Sequence, residues 1–127
     1  MKLLTLALLS VALGFSQSND CDTQEKCQEA LRANPSSSLA HFRLGEIHVV
    51  TSNYQSAANE FRLSLNGDLA PRWTEASAHL DLGKVFDASE QRERALREYR
   101  LALGTNDNSH GALDEARKYI DTPYRRK

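Results

Sequence analysis

The chain predicts an all-α fold, a stack of helix-turn-helix units of the α-solenoid kind, on three observations. Residues 60–65 read Glu-Phe-Arg-Leu-Ser-Leu, and 38 positions later residues 98–103 read Glu-Tyr-Arg-Leu-Ala-Leu. The same offset brings His41-Phe42-Arg43-Leu44-Gly45-Glu46 onto His79-Leu80-Asp81-Leu82-Gly83-Lys84. Within these blocks the apolar residues recur at helical spacing, Ala40, Leu44 and Ile47 in one unit and Ala78, Leu82 and Val85 in the next. A unit of this size cannot enclose a core alone and must bury its apolar side against a neighbour.

The elements follow in order. Residues 1–18 differ in composition from the rest: Lys2, an apolar run from Leu3 to Phe15, then Ser16-Gln17-Ser18. Thirteen helical residues span roughly 20 Å, short of the roughly 30 Å hydrocarbon core of a bilayer. A positive start, a short apolar stretch and small residues describe a secretory signal peptide, with cleavage expected near Ser18–Asn19 or else after Gly14. The alternative is an uncleaved anchor. No cysteine directly follows the apolar run, which argues against lipid attachment. Without Lys2 the remainder carries 15 Lys+Arg (16 less one) against 17 Asp+Glu, a net charge of −2. Interspersed and nearly balanced, that charge makes no electrostatic case for nucleic acid or an anionic membrane.

Cys21 and Cys27 both follow the signal and are expected in an oxidising compartment. Asp22, with Glu25 three residues on, reads as the capping box of a helix over residues 23–33. It places Cys21 just before that helix and Cys27 within its first turns, so the two are predicted to form a disulfide contributing roughly 2 kcal/mol. Zinc is a poor competitor, since there are two sulfurs and no Cys-x-x-Cys.

Each repeat then supplies two helices, with Ala57, Ala58, Phe61 and Leu65 of one second helix matching Ala95, Leu96, Tyr99 and Leu103 of the other. Ser52-Asn53 and Ser89-Glu90 mark the turns between helices, and Ser52 with Gln55 is a second capping-box candidate. Gly45 and Gly83 lie inside helices, where glycine costs about 1 kcal/mol relative to alanine. Close approach of a partner helix would offset that cost, with Ala57 and Ala95 as small facing residues and Phe61 and Tyr99 filling the space beside them. Asn106-Asp107-Asn108-Ser109 reads as a turn and N-cap before a last helix over residues 110–120, which Pro123 ends.

This arrangement resembles the tetratricopeptide repeat (TPR) family, as a small exported bacterial member. The family's pattern of Leu-Gly, large apolar, small, aromatic and small positions falls on Leu44, Gly45, His48, Ala57, Phe61 and Ser64, then on Leu82, Gly83, Phe86, Ala95, Tyr99 and Ala102. His48 and Ser64 depart from it, and His41 and His79 replace the tryptophan expected near each start. Family spacing is about 34 residues; the extra four here are Leu69-Ala70-Pro71-Arg72, before Trp73. Pro71 suits the first turn of a lengthened helix. The match covers residues 37–104, and Cys27, Ala30 and Pro35 take the places of an isolated second helix before it. The implied layout is a signal peptide over 1–18 and a repeat domain over 19–127. Within the domain lie a half-repeat over 22–35, repeat 1 over 37–69, repeat 2 over 71–107 and a capping helix over 109–121.

The resemblance also implies a concave groove lined by Leu39, Phe42, Glu46, Val49 and Val50, then Ser77, Leu80, Lys84, Asp87 and Ala88. Phe42, Val49, Val50 and Leu80 would be unusual exposed side chains unless they pack on a neighbour or await a ligand. Glu46 and Lys84 are in position to pair across repeats. The Lys and Asn clamp by which some members hold a terminal carboxylate is not reproduced.

Catalytic signatures are absent: no Gly-x-Ser-x-Gly, phosphate-binding glycine loop, His-Glu-x-x-His or dinucleotide fingerprint occurs. His41, His48 and His79 have no i, i+4 pairing to suggest metal, and Ser109-His110 adjacency does not make a catalytic pair. The charges from Arg92 to Arg100 pair at i, i+4 and read as a solvated convex face. The sequence therefore predicts an exported, non-enzymatic interaction module without cofactor or metal, binding a peptide or helix of another protein in its groove. Its partners exclude nucleic acid, and it makes no stable membrane insertion once the signal is cleaved. A structural envelope subunit or self-associating oligomer with a filled groove is the alternative, a metal carrier or enzyme the remote one.

Overall fold

The computed structural model of the protein describes residues 20–126, so the predicted signal peptide lies outside the described residues. Six helices, and no strand among the described residues, follow in order: α1 (Gln24–Ala33), α2 (Ser38–Val50), α3 (Tyr54–Leu65), α4 (Trp73–Ala88), α5 (Arg92–Gly104) and α6 (Ala112–Asp121). The closest pairings are α2 with α3 and α4 with α5. These hairpins stack through α3 and α4, α1 lies on α2, and α6 packs on α4 and α5. The predicted all-α class holds. The arrangement is consistent with an α-solenoid.

The main core joins Ala57, Ala58 and Phe61 of α3 to Ala78, Leu82, Val85 and Phe86 of α4, Ala95, Tyr99 and Ala102 of α5, and Ala112 and Ala116 of α6. A smaller cluster holds Cys21, Cys27, Ala40 and Leu44, with Ala30, Leu31 and Ile47 packed against it. Cys21 and Cys27 are joined by a disulfide with their Cα atoms 5.1 Å apart.

The helical glycines do more than face small residues. A Cβ on Gly45 would lie 2.6 Å from Cδ1 of Phe61, and one on Gly83 would lie 2.5 Å from Cε1 of Tyr99. Each ring is itself laid against the glycine backbone, and both are fully buried. Tyr99 is held further, because its hydroxyl donates to Asp87 Oδ2 at 2.7 Å.

The 38-residue offset recurs in the polar contacts. His41 Nδ1 lies 2.8 Å from Glu60 Oε2, and His79 Nδ1 lies 2.8 Å from Glu98 Oε2. Both histidines thus tie the first helix of a hairpin to the second. A contrast sits one turn earlier. Ser38 Oγ donates to the Ser64 carbonyl (2.6 Å) while Ser64 Oγ donates to the Ser38 carbonyl (2.7 Å), and both residues are fully buried. At the same offset stand Ala76 and Ala102, also buried, so the second hairpin fills this place with methyl groups. Ser64, a departure from the family pattern, is thereby explained by its hydrogen-bonding partner. Asp68 completes the joint by accepting from Ser38 N (3.1 Å), Ala70 N (3.1 Å) and the Asn34 amide (3.2 Å).

Two capping expectations are corrected. Thr23, not Asp22, caps α1 by accepting from Lys26 N at 3.2 Å, and Asp22 pairs with the Lys26 ammonium instead. Ser52 does not cap α3: it adopts φ 62°, as Glu90 does at φ 59° in the corresponding turn. These left-handed residues turn the chain sharply enough to reverse it, which moves the N-cap positions to Asn53 and Gln91. Gly111 (φ 74°) immediately precedes α6, and Asn108 Oδ1 reaches forward to accept from Leu113 N at 3.0 Å.

Thr74 is fully buried, and its hydroxyl finds no hydrogen-bond partner among the described residues. Replacing it with the near-isosteric valine removes a desolvated polar atom at almost constant shape. Thr74→Val is therefore expected to raise unfolding stability by about 1 kcal/mol, read from the urea midpoint. A loss of stability would contradict the absence of a partner.

Candidate interaction groove

The ends of α2 and α4 and the start of α3 leave a cleft of about 230 Å³ between them. Its walls are Glu46, Val49 and Val50 of α2, Tyr54 and Phe61 of α3, Asp81, Lys84, Val85 and Ala88 of α4, and Tyr124 from the segment after α6. Helical spacing explains the first and third sets: residues three and four apart share a face, so each helix presents one stripe. Val50, the last residue of α2, is 79% exposed at the rim.

Of the predicted groove residues, Glu46, Val49, Val50 and Lys84 line this cleft, as does Ala88. The others have different surroundings. Leu39 is buried, and so are Phe42 and Leu80, each 3% exposed. Phe42 rests against Phe61 with ring centroids 5.8 Å apart and is met edge-on by Trp73 at 5.8 Å. Trp73 in turn stacks on His110 at 4.1 Å. Leu80 belongs to the core that α6 joins through Ala112 and Ala116. Asp87 is engaged internally: its carboxylate, 1% exposed, accepts from Arg92, from Tyr99 and from Tyr124 N at 3.0 Å. Ser77 is buried. Tyr54, Phe61, Asp81, Val85 and Tyr124 are additions to the predicted groove, Phe61 and Val85 having been assigned to the apolar stripes.

The charges form a swapped pair of pairs. Arg43 Nη1 donates to Glu46 at 2.8 Å, whereas the corresponding residues 38 positions on, Asp81 and Lys84, approach to 3.9 Å with signs reversed. Glu46 and Lys84 thus have partners within their own helices, not across the repeats as expected. Arg43 also forks onto Asp20 at 2.7 and 3.0 Å, and its charge is strongly held by that carboxylate and by Glu46. The Asp81 side chain is 21% exposed. Burial pushes its carboxyl up to about 7 from 3.8, with Lys84 and Arg43 opposing the rise and Glu46 and Glu115 adding to it. Burial disfavours the Lys84 ammonium, but Asp81, Glu115, Tyr124 and Tyr119 hold it above its ordinary range.

The cleft offers an apolar floor with one cation, Lys84, and two carboxylates, Glu46 and the reluctant Asp81. It can take an apolar or aromatic side chain and fix its orientation through Lys84. Among the described residues, no group of three or more His, Cys, Asp or Glu could hold a metal ion. No described helix is long and apolar enough to cross a membrane.

The chain is similar to the human nuclear autoantigenic sperm protein, at 29% identity over 96 residues. That match takes in 71% of this chain and 12% of the relative, so the chain spans a small part of the protein it resembles. No family model matches the chain. No solved structure matches it either. The relative contains tetratricopeptide repeats, and the six-helix, all-α architecture is compatible with a TPR-like fold.

Proposed function

We propose that this protein is an exported, non-enzymatic TPR-like scaffold that binds a peptide segment or helix of another protein in the cleft between α2 and α4. The observation that carries the reading is Val50, a branched apolar side chain 79% exposed on the rim of a largely apolar cleft. An exposed apolar residue beside a concave surface favours docking of a partner's side chain. The similarity to a repeat-containing protein supports a protein partner in general terms. Export is supported by the Cys21–Cys27 disulfide, which persists in oxidising compartments. A photocrosslinking side chain at position 50 is expected to capture a partner that one at Arg100, exposed on α5, does not. Val50→Asp should abolish that capture at unchanged helicity. Equal capture from both positions, or capture indifferent to Val50→Asp, would place the site elsewhere.

A second reading, a self-associating oligomer or structural subunit of an envelope complex, draws on Leu63 and Leu101. These are 48% and 47% exposed at matching positions of α3 and α5. Light scattering separates the two readings, because an oligomer that Leu63→Glu with Leu101→Glu dissociates favours the second.

A further inference from the structure

One wall of the cleft, Tyr124, comes from the segment that follows α6. Past α6, Thr122–Arg126 runs without helix from the end of α6 back to the turn between α2 and α3. Tyr124 N donates to Asp87 Oδ2 at 3.0 Å, and its ring stands edge-on to Tyr119 at 5.3 Å. The Lys84 ammonium lies 4.9 Å from the centre of the Tyr124 ring. Two residues on, Arg126 Nη1 donates to the Tyr54 hydroxyl at 3.0 Å and to Ser52 Oγ.

We infer that this segment is an internal stand-in for the protein's ligand, and that the partner supplies an extended stretch with an aromatic residue followed two positions later by a basic one. The inference rests on the scaffold reading above and specifies its ligand. Each contact is one that a foreign chain could make. Asp87 accepts a backbone N–H, which any non-proline residue offers. Lys84 faces an aromatic ring, and a cation over a ring is attracted by the ring's quadrupole. Tyr54 and Ser52 accept from a guanidinium and select a basic side chain at the second place. The segment is held by side-chain contacts and not by regular secondary structure. It forms no helix or strand, Pro123 offers no N–H, and Arg126 is exposed. A tethered occupant nevertheless competes at high effective concentration, so it lowers the apparent affinity for an external segment by the fraction of time it is seated.

The test uses the full chain and a labelled peptide of sequence Asp-Thr-Pro-Tyr-Arg-Arg-Lys, read by fluorescence anisotropy. Tyr124→Ala is expected to bind this peptide at least tenfold more tightly than the unsubstituted protein. Arg126→Ala, at an exposed position, should give a smaller gain of the same sign and guards against misfolding of the first variant. A peptide with alanine for tyrosine should lose binding, and Val50→Asp added to Tyr124→Ala should abolish it. Equal affinity of the substituted and unsubstituted proteins, or indifference to the peptide's tyrosine, overturns the inference. So does conversion of Tyr124→Ala to a dimer that the peptide dissociates, since the occupant is then a second copy. Failure of the peptide with partner capture intact at position 50 sinks only the ligand assignment. Loss of that capture sinks the scaffold reading as well.

Discussion

Gly83→Ala should lower unfolding stability by about 2–3 kcal/mol despite alanine's better helix propensity. The added methyl would sit 2.5 Å from Cε1 of Tyr99, well inside contact distance. Yielding is difficult at this site. Tyr99 is fully buried, and its hydroxyl is anchored on Asp87, whose carboxylate also serves Arg92 and Tyr124 N. Moving the ring therefore strains the joint between α4 and α5 and the anchor of the segment after α6 together. Gly104, the last residue of α5, provides the internal comparison, because nothing lies within 4 Å of the Cβ it would gain. Gly104→Ala should be neutral or stabilising by up to about 1 kcal/mol. Urea unfolding of both variants checks the pair. A Gly83→Ala protein as stable as the parent would mean that the ring does not hold the position described.

Asp81→Asn carries the second large effect, and it depends on pH. The folded state raises this carboxyl from 3.8 to about 7, so between those values the native protein binds a proton that the unfolded chain releases. Stability from this group is therefore fully present below about pH 4, falls as pH rises towards about 7 and stays lost above it. The amide is uncharged throughout. At pH 8 Asp81→Asn should exceed the parent by about 3 kcal/mol, and at pH 4 the two should nearly coincide. Charges facing Asp81 are Lys84 on its own helix, Arg43 and Glu46 on α2, and Glu115 on α6. They remain in both proteins, so much of their own titration cancels in the difference. Asp20 and Asp68, whose carboxyls are lowered, work in the opposite direction with pH and cancel likewise. Denaturant unfolding from pH 4 to pH 8 measures the difference. A gap independent of pH would show that Asp81 is ionised throughout.

The helices were legible in the sequence because their information is local and periodic. Ala40, Leu44 and Ile47, and Ala78, Leu82 and Val85, repeat at a spacing that only a helix places on one face. Gly45 and Gly83 were legible as close approaches with Phe61 and Tyr99 beside them, although the sequence did not show that the rings are the nearest groups to the glycines. The turns were less readable, since serine at 52 and glutamate at 90 do not advertise a left-handed backbone. Half of the groove was misplaced for a reason outside the repeat. The four extra residues before Trp73 and the closure by α6 lie outside the repeat pattern; Trp73 covers Phe42, and Leu80 sits in the core that α6 joins. Tyr124 was unreadable for the same kind of reason. Thr122–Arg126 has no periodicity, and Arg126 finds its contacts 72 and 74 residues earlier.

The two edges of this stack are fastened by different means. At one, α6 closes against both α4 and α5 through buried alanines; at the other, α1 touches only α2 among the described helices and is joined to the residues before it by a covalent staple. A reductant consequently attacks one edge selectively. Opening the staple loosens Asp20, which adjoins it, and with it the fork that holds Arg43. Fraying then starts from α1, whose amide protons exchange first while α4 and α5 stay protected.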